Sequence, residues 1–299
     1  KGIEMVNNSI YTNPSAYTAL QNLSVVNRKL EVSQNAISSG LKVASATDNT
    51  SSFAIAQGIR GEIAAIEATN KTVTKVKGIV DYNLAAAEGI SNLVGELKAK
   101  LTELQDTTLS SSQRTQTVSD FNNLLSQAKD FARGAANLDQ VGGTLVDLFS
   151  AGGTAAVADL TVDINPGISG IVTAAAASIT VSHDITVAVF NRLSSLQTAA
   201  RTATAANATS TIVADFVTFE TEVAAALGHL GGKSEQLARH TEFLESIKSS
   251  RQELLGSYVD ADLAAESAKL TALQVQQQLA VQAVGIANQR PQSLLGLFR

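Results

Sequence analysis

The chain has 299 residues, 44% of them hydrophobic, and a formal net charge of −5. So mild a charge excludes an electrostatic footprint for nucleic acid or for an anionic membrane surface. Cysteine and tryptophan are absent and aromatics make up only 4%, which excludes disulfides and thiolate metal sites and leaves long helices a better fit than a compact globular core.

The first stretch, from Met5 to Asn27, holds no Asp, Glu, Lys or Arg. No basic segment followed by an apolar one opens the chain, so a cleaved leader is not expected. Pro14 precedes the first helical pattern. In it, Leu20, Leu23, Leu30, Ile37 and Leu41 follow an a/d heptad rhythm, with polar Asn27 and Gln34 at two a positions. Gly40 is expected to interrupt this helix, and residues 42–52, rich in Ser, Thr and Asn, read as an irregular connection. Helical spacing resumes near Phe53 and continues through Val76, Ile90 and Leu97 to Leu104, about fifty residues or roughly 75 Å of helix. A polar break at residues 106–113 leads to another helix carrying Phe121, Leu124, Leu125, Ala128 and Phe131.

Composition shifts around Gly142. Period-two alternation from Val157 to Ile164, next to the Asn165-Pro166-Gly167 turn, predicts a few strands or a hairpin. An Ala/Thr-rich stretch, Thr173 to Thr211, is expected to be part helix around Phe190, Leu193 and Leu196. From Ile212 the helical pattern returns through Phe216, Phe219, Val223, Leu237, Leu244 and Leu254, with one break near Asp260. The run from Leu270 to Gln289 is again free of charge, and Pro291 is expected to close the last helix. Its length would suit a membrane span, but six glutamines, among them Gln274, Gln277 and Gln282, would each need a partner in lipid.

The fold class that follows is mainly α: long antiparallel helices from both termini forming a coiled-coil-like bundle, with a small central β-containing insert. The expected division is 1–42 and 260–299 as the two halves of a terminal helical domain, 43–141 and 212–259 as the halves of a charged helical domain, and 142–211 as a short outward-facing insert. A helix of only apolar and neutral polar residues expects close neighbours on several sides. On the last helix Leu263, Leu270, Leu273 and Val284 make one apolar stripe, and Val275, Leu279 and Ile286 make a second. Two stripes imply two sets of neighbours: the helix with Leu20, Leu23, Leu30 and Ile37, and another copy of the chain. The expectation is a self-assembling structural protein, not an enzyme.

Signs of chemistry are weak. Gly232-Lys233-Ser234 ends like a P-loop, but Leu227 stands where the required glycine belongs and no strand precedes it. His183, His229 and His240 lack metal-ligand spacing, and His183-Asp184 beside Ser182 lacks a surrounding catalytic apparatus. Asp260 and Asp262 read as helix N-caps, and Gly142-Gly143 and Gly152-Gly153 as turns. No metal and no cofactor is expected.

The termini resemble bacterial flagellin, the subunit of the flagellar filament. At the N-terminal side the likeness rests on Ser9-Ile10-Tyr11-Thr12-Asn13, Ala19-Leu20-Gln21-Asn22-Leu23, Ile37-Ser38-Ser39-Gly40-Leu41-Lys42 and Ala46-Thr47-Asp48-Asn49. At the other end it rests on Asp260-Ala261-Asp262-Leu263-Ala264-Ala265-Glu266-Ser267, Gln276-Gln277-Gln278, Ile286-Ala287-Asn288-Gln289 and Leu294-Leu295-Gly296-Leu297-Phe298-Arg299. The C-terminal wording is most similar to flagellins of alphaproteobacteria. The resemblance implies an inner tube of paired terminal helices, a surrounding shell of charged helices, and a middle that faces outward. It further implies export through the flagellum's own channel and an extracellular filament. The implied partners are other copies of the chain, hook-junction and filament-cap proteins, and an export chaperone with the export apparatus. Lys1 to Glu4 precede Met5, where the family's chains start. Many flagellins carry an Arg where Thr102 stands, in a patch seen by the animal Toll-like receptor for flagellin, which argues against recognition by that receptor. The alternatives are a hook–filament junction protein, which shares terminal features, and an adhesin displayed on filaments.

Overall fold

Short polar side chains decide where the helices begin. The computed structural model describes residues 13–135, 160–164, 166, 178–182, 184–202 and 209–297. Helix α1 (Pro14–Ser39) starts with Asn13, whose Oδ1 accepts from the Ala16 amide at 3.2 Å, while Pro14 presets φ in the first turn. It ends at Gly40, which takes φ 72°, the left-handed conformation that costs glycine least. Asn49 caps α2 (Thr50–Leu104) by accepting from the Ser52 amide at 3.0 Å. At the far end of α2 the Arg114 guanidinium donates to the carbonyls of Leu104 and Asp106, both at 2.8 Å. Helix α3 (Ser111–Ala135) opens on a reciprocal capping box. The Ser110 amide donates to Gln113 Oε1 at 3.0 Å, and the Gln113 amide donates to Ser110 Oγ at 3.4 Å.

Strands β1 (Leu160–Asp163) and β2 (Ser178–Val181) pair antiparallel with Leu160 opposite Val181. Helices α4 (Asp184–Thr202), α5 (Thr209–Val259) and α6 (Leu263–Leu297) complete the described elements. Pro291 therefore lies within α6 and does not close it, contrary to the sequence expectation. Proline removes only one intrahelical donor, and the carbonyl this leaves open, that of Ala287, receives another partner. Asn165 and Gly167 of the expected turn, Val157, Ala158 and Asp159 before β1, both Gly-Gly pairs and His183 lie outside the described residues.

The chain divides into two compact units: Lys1–Gly61 with Ser250–Arg299, and Glu62–Ser249. Each has its own core. In the second, buried residues of α2 recur in sevens: Ile66, Val73, Val80 and Ala87 on one line, Val76, Asn83, Ile90, Leu97 and Leu104 on the other. On α5 the same rhythm buries Ile212, Phe219 and Ala226 beside Phe216, Val223, Leu230, Leu237 and Leu244. Glu67 pairs with Lys248 at 2.7 Å, Asp81 bonds Ser234, and Lys98 pairs with Glu220 at 2.8 Å. As one helix advances the other retreats, so α2 and α5 run antiparallel. Segment 142–211, expected as a short outward-facing insert, places Leu160, Val162, Ile179, Val181, Val189, Leu193, Leu196 and Ala200 in this same core. Arg192 ties α4 to α5 through Asp215 at 3.3 Å and Glu222 at 3.1 Å.

The first unit has a small core of Val43, Ala56 and Val259, with Leu41, Phe53, Leu255 and Tyr258 packed against it. Its bounds fall at Gly61 and Ser250, where the sequence suggests divisions at 42 and 260.

Asn83 is the odd member of the α2 seam. It is fully buried, and its Nδ2 donates to the Ile79 carbonyl at 2.7 Å, but its Oδ1 meets no donor among the described residues. Leaving an acceptor unpaired in a core costs about 1–3 kcal/mol. Asn83→Leu, which keeps the same branched shape, is therefore expected to raise the thermal midpoint of the soluble chain by a few degrees. A drop in midpoint would show that the amide contributes more through packing or register than its unpaired oxygen costs.

Candidate assembly surface

Helices α1 and α6 pack along their lengths and run antiparallel, as their cross-links show. Asn13 Nδ2 donates to the Ala287 carbonyl at 2.7 Å, Gln277 Nε2 to Asn27 Oδ1 at 2.9 Å, and the Ser33 hydroxyl to Glu266 Oε2 at 2.6 Å. Near Gly40 the backbones themselves join. The Ala261 amide donates to the Gly40 carbonyl at 2.9 Å, and the Lys42 amide to the Val259 carbonyl at 2.8 Å, around an antiparallel bridge between Leu41 and Asp260. Lys42 Nζ adds a bond to the Ser257 carbonyl at 2.7 Å.

The structure separates the sequence-chosen residues into two groups. Leu23, Leu30 and Ile37 on α1 and Leu270, Leu273 and Val284 on α6 are half-buried or buried. Leu20, Val275, Leu279 and Ile286 keep 50%, 51%, 58% and 66% of their surface, and Leu263 is exposed as well. The expected a positions Leu20, Asn27 and Gln34 all lie on exposed ground. The seam instead combines the line of Leu23, Leu30 and Ile37 with Ala19, Val26, Ser33 and Ala36. The reason is physical: α1 has one helical neighbour within its unit, and the small Ser33 and Ala36, both buried, let the two backbones approach.

On α6 the second stripe remains open. Leu279 and Ile286 border a groove whose other wall is Ser15, Thr18, Ala19 and Asn22 of α1. Tyr17 and Val32 of α1 and Val281 of α6 are also exposed. Among the described residues no helix is long and apolar enough to cross a membrane.

Asp262 accepts from the amides of Ala264 at 2.9 Å and Ala265 at 3.1 Å, the N-cap role expected of it. Asp260 does not cap. Its backbone forms the bridge to Leu41, and its carboxylate lies over Gly256, where an added Cβ would come within 2.5 Å of it. Gly232-Lys233-Ser234 sits inside α5, with the Ser234 hydroxyl on Asp81, and offers no loop for a phosphate. His240 bonds the Ile164 carbonyl at 3.1 Å, holding the end of the first strand to α5.

Sequence reasoning missed Asn13, Ser33 and the Leu41–Asp260 bridge. Ser33 had a readable signal, because it falls in register with Val26 and Ala19 on one helical face. It is fully buried, and its hydroxyl, followed by the Lys269 ammonium, holds the Glu266 carboxyl below its ordinary value. A carboxyl lowered in the folded state stabilises above the ordinary glutamate range, near pH 4.3, and that contribution is lost as pH falls through the folded value. Ser33→Ala is expected to weaken α1–α6 pairing by about 1 kcal/mol at neutral pH. It should also move the acid transition of that pair to higher pH, read as helicity by circular dichroism. An unchanged acid transition would mean that Ser33 does not set the state of Glu266.

Comparison with known proteins agrees with this geometry. The bacterial flagellin N-terminal helical region matches residues 10–136, and the bacterial flagellin C-terminal helical region matches residues 217–298. The chain is 34% identical to flagellin FljK of Caulobacter vibrioides over 99% of this chain and 100% of that one. It is 33% identical to a flagellin of Brucella melitensis over 97% of this chain and 99% of that one, and 26% identical to flagellin C of Rhizobium meliloti over 97% and 99%.

Proposed function

Because the chain belongs to the bacterial flagellin family and is a structural subunit of the flagellar filament, we propose that it polymerises through the open stripe of α6. The observation that carries this reading is an uncharged helix, Leu270 to Gln289, with Val275, Leu279 and Ile286 exposed beside an apolar groove. Each such side chain gains on the order of 1 kcal/mol when its exposed half is buried, and in a polymer every copy both offers and receives the patch.

On this reading residues 1–42 and 260–299 build an inner tube in which Leu20, Val275, Leu279 and Ile286 meet neighbouring copies. Leu23, Leu30, Ile37, Leu270, Leu273 and Val284 hold the pair together within each copy, and Leu263 serves neighbours at the start of α6. Residues 43–141 and 212–259 form the surrounding shell, and 142–211 faces outward. The protein works without catalysis and without a cofactor. It leaves the cell through the flagellar export apparatus with a chaperone, adds to the filament outside, and meets hook-junction proteins at one end and the cap at the other.

Leu279→Glu tests the assignment. In the tube it would bury an unpaired carboxylate, at a cost of several kcal/mol per ion, while the second unit, whose core does not include Leu279, still folds. Purified Leu279→Glu protein should therefore keep its helicity and fail to grow filaments in electron micrographs. Gln252→Glu, on an exposed position of α5 in a charge-rich stretch, should grow them normally. Normal filaments from Leu279→Glu would remove this face from the subunit interface.

A further inference from the structure

Pro291 lies inside α6, and proline carries no N–H to give the carbonyl four residues earlier. That carbonyl belongs to Ala287, a residue buried to 9% exposure, and Asn13 Nδ2 donates to it at 2.7 Å. The same amide works in the other direction. Asn13 Oδ1 accepts from the Ala16 amide at 3.2 Å and from Ser15 Oγ at 2.6 Å, which starts α1.

We propose that Asn13 sets the register of the terminal helix pair at the end away from the Leu41–Asp260 bridge, by filling the acceptor that Pro291 opens in α6 while capping α1. Elsewhere along a regular helix each carbonyl is already engaged by the amide four residues on. A side chain from a neighbouring helix finds a vacant acceptor only where that ladder is broken, and proline breaks it at one rung. Much of the facing surface at this end of the pair is undemanding about register: Ala19 on α1, and Ala280 and Ala283 on α6, line the same groove. Small side chains of one size tolerate a slide of one turn, about 5.4 Å. Asn13 discriminates, because a slide would move its amide from a carbonyl with no backbone donor to one that already accepts a helical N–H and takes a second donor more weakly. The Asn27–Gln277 bond cannot supply the same discrimination, since both amides sit on the wet rim of the seam. Asn13 is thus a positioning residue for assembly, because the groove of α1 and α6 offered to the next copy has its shape only in one register. The proposal rests on the polymerisation reading above.

The test is a two-by-two comparison of Asn13→Ser and Pro291→Ala. Serine caps a helix about as well as asparagine but is too short to reach α6, and alanine at 291 returns an N–H to Ala287. Critical concentrations for filament growth are measured on the full chain. Asn13→Ser alone should raise the critical concentration about fivefold, the equivalent of one lost hydrogen bond. In the Pro291→Ala background the same change should move it less than twofold. Equal effects in both backgrounds, or none in either, would reduce Asn13 to a local cap and overturn the proposal while leaving the polymerisation reading intact. A parent chain that grows no filaments under any condition would overturn that reading and this one with it. A second measurement covers the case in which Pro291→Ala abolishes growth. The chain has no native cysteine, so Ala19→Cys with Ala280→Cys can be joined by a short crosslinker on the soluble protein. Asn13→Ser should at least halve the yield with proline at 291 and leave it unchanged with alanine there. Yields that do not depend on residue 291 would overturn the register role.

Discussion

A helix without charge can be stable in water only while something covers it, and α6 between Leu270 and Gln289 is such a helix. Within its own unit α1 covers one line, burying Leu273 and Ala287 and half-burying Leu270, Gln277 and Val284. The opposite line, Val275, Leu279 and Ile286, stays exposed among the described residues. The features of the first unit follow from that imbalance. The pair holds a defined shape although its intramolecular seam is thin, and under the proposed assembly the face it presents stays apolar so that a copy of the same chain can lie on it. An added carboxylate or ammonium there would, under that proposal, be buried once per subunit.

The two units solve different problems with the same helical period. In the second, α2 and α5 fill two heptad lines with large side chains, including Phe216 and Phe219 with ring centroids 5.9 Å apart. Ion pairs such as Lys98–Glu220 are largely exposed, and pairs of that kind contribute about 0–1 kcal/mol each. Their value lies in fixing how the two helices align. In the first unit the fully buried seam residues include Ser33 and Ala36, which bring backbones close but remove little apolar area from water. Two helices joined so lightly gain most of their stability from further neighbours, as isolated helices in water generally must.

Much of this was legible in the sequence. The helical spacing of α2 and α5, the breaks at Gly40 and residues 106–113 and the cap at Asp262 all rest on local periodicity or on a side chain within a few residues of the backbone it serves. What escaped was long-range. The strand Ser178–Val181 lay in an Ala/Thr-rich stretch with little apolar contrast, and its pairing with Leu160–Asp163 is set by partners across the chain. Leu20 is as apolar as Leu23, and only the single-sided packing of α1 decides which of them turns inward. Pro291 reads as a stop because the donor it lacks is a local fact, whereas the Asn13 amide that makes good the loss comes from the other end of the chain. The bridge between Leu41 and Asp260 is made of backbone atoms alone and leaves no side-chain signature at all.

That bridge explains how a thin seam can still be exact in its alignment. At one end the chain leaves α1 through Gly40 and enters α6 after Ala261, and these two segments are joined by backbone hydrogen bonds of 2.9 Å and 2.8 Å, with Lys42 reaching the Ser257 carbonyl as well. Backbone pairing of this kind fixes both segments along their length, because its donors and acceptors alternate at set spacings. The Asp260 carboxylate over Gly256 further limits how the incoming segment can turn, since a side chain at 256 would meet it. At the other end the Asn13 amide engages the Ala287 carbonyl. With alignment supplied at both ends, the seam between them has no need of large interlocking residues to specify itself. Its bulky apolar side chains, Leu279 and Ile286 above all, are released to the outer face. Under the proposed assembly, the thinness of the internal seam and the breadth of the external surface are one arrangement, in which a helix pair pinned at its ends keeps its hydrophobic area for the next subunit.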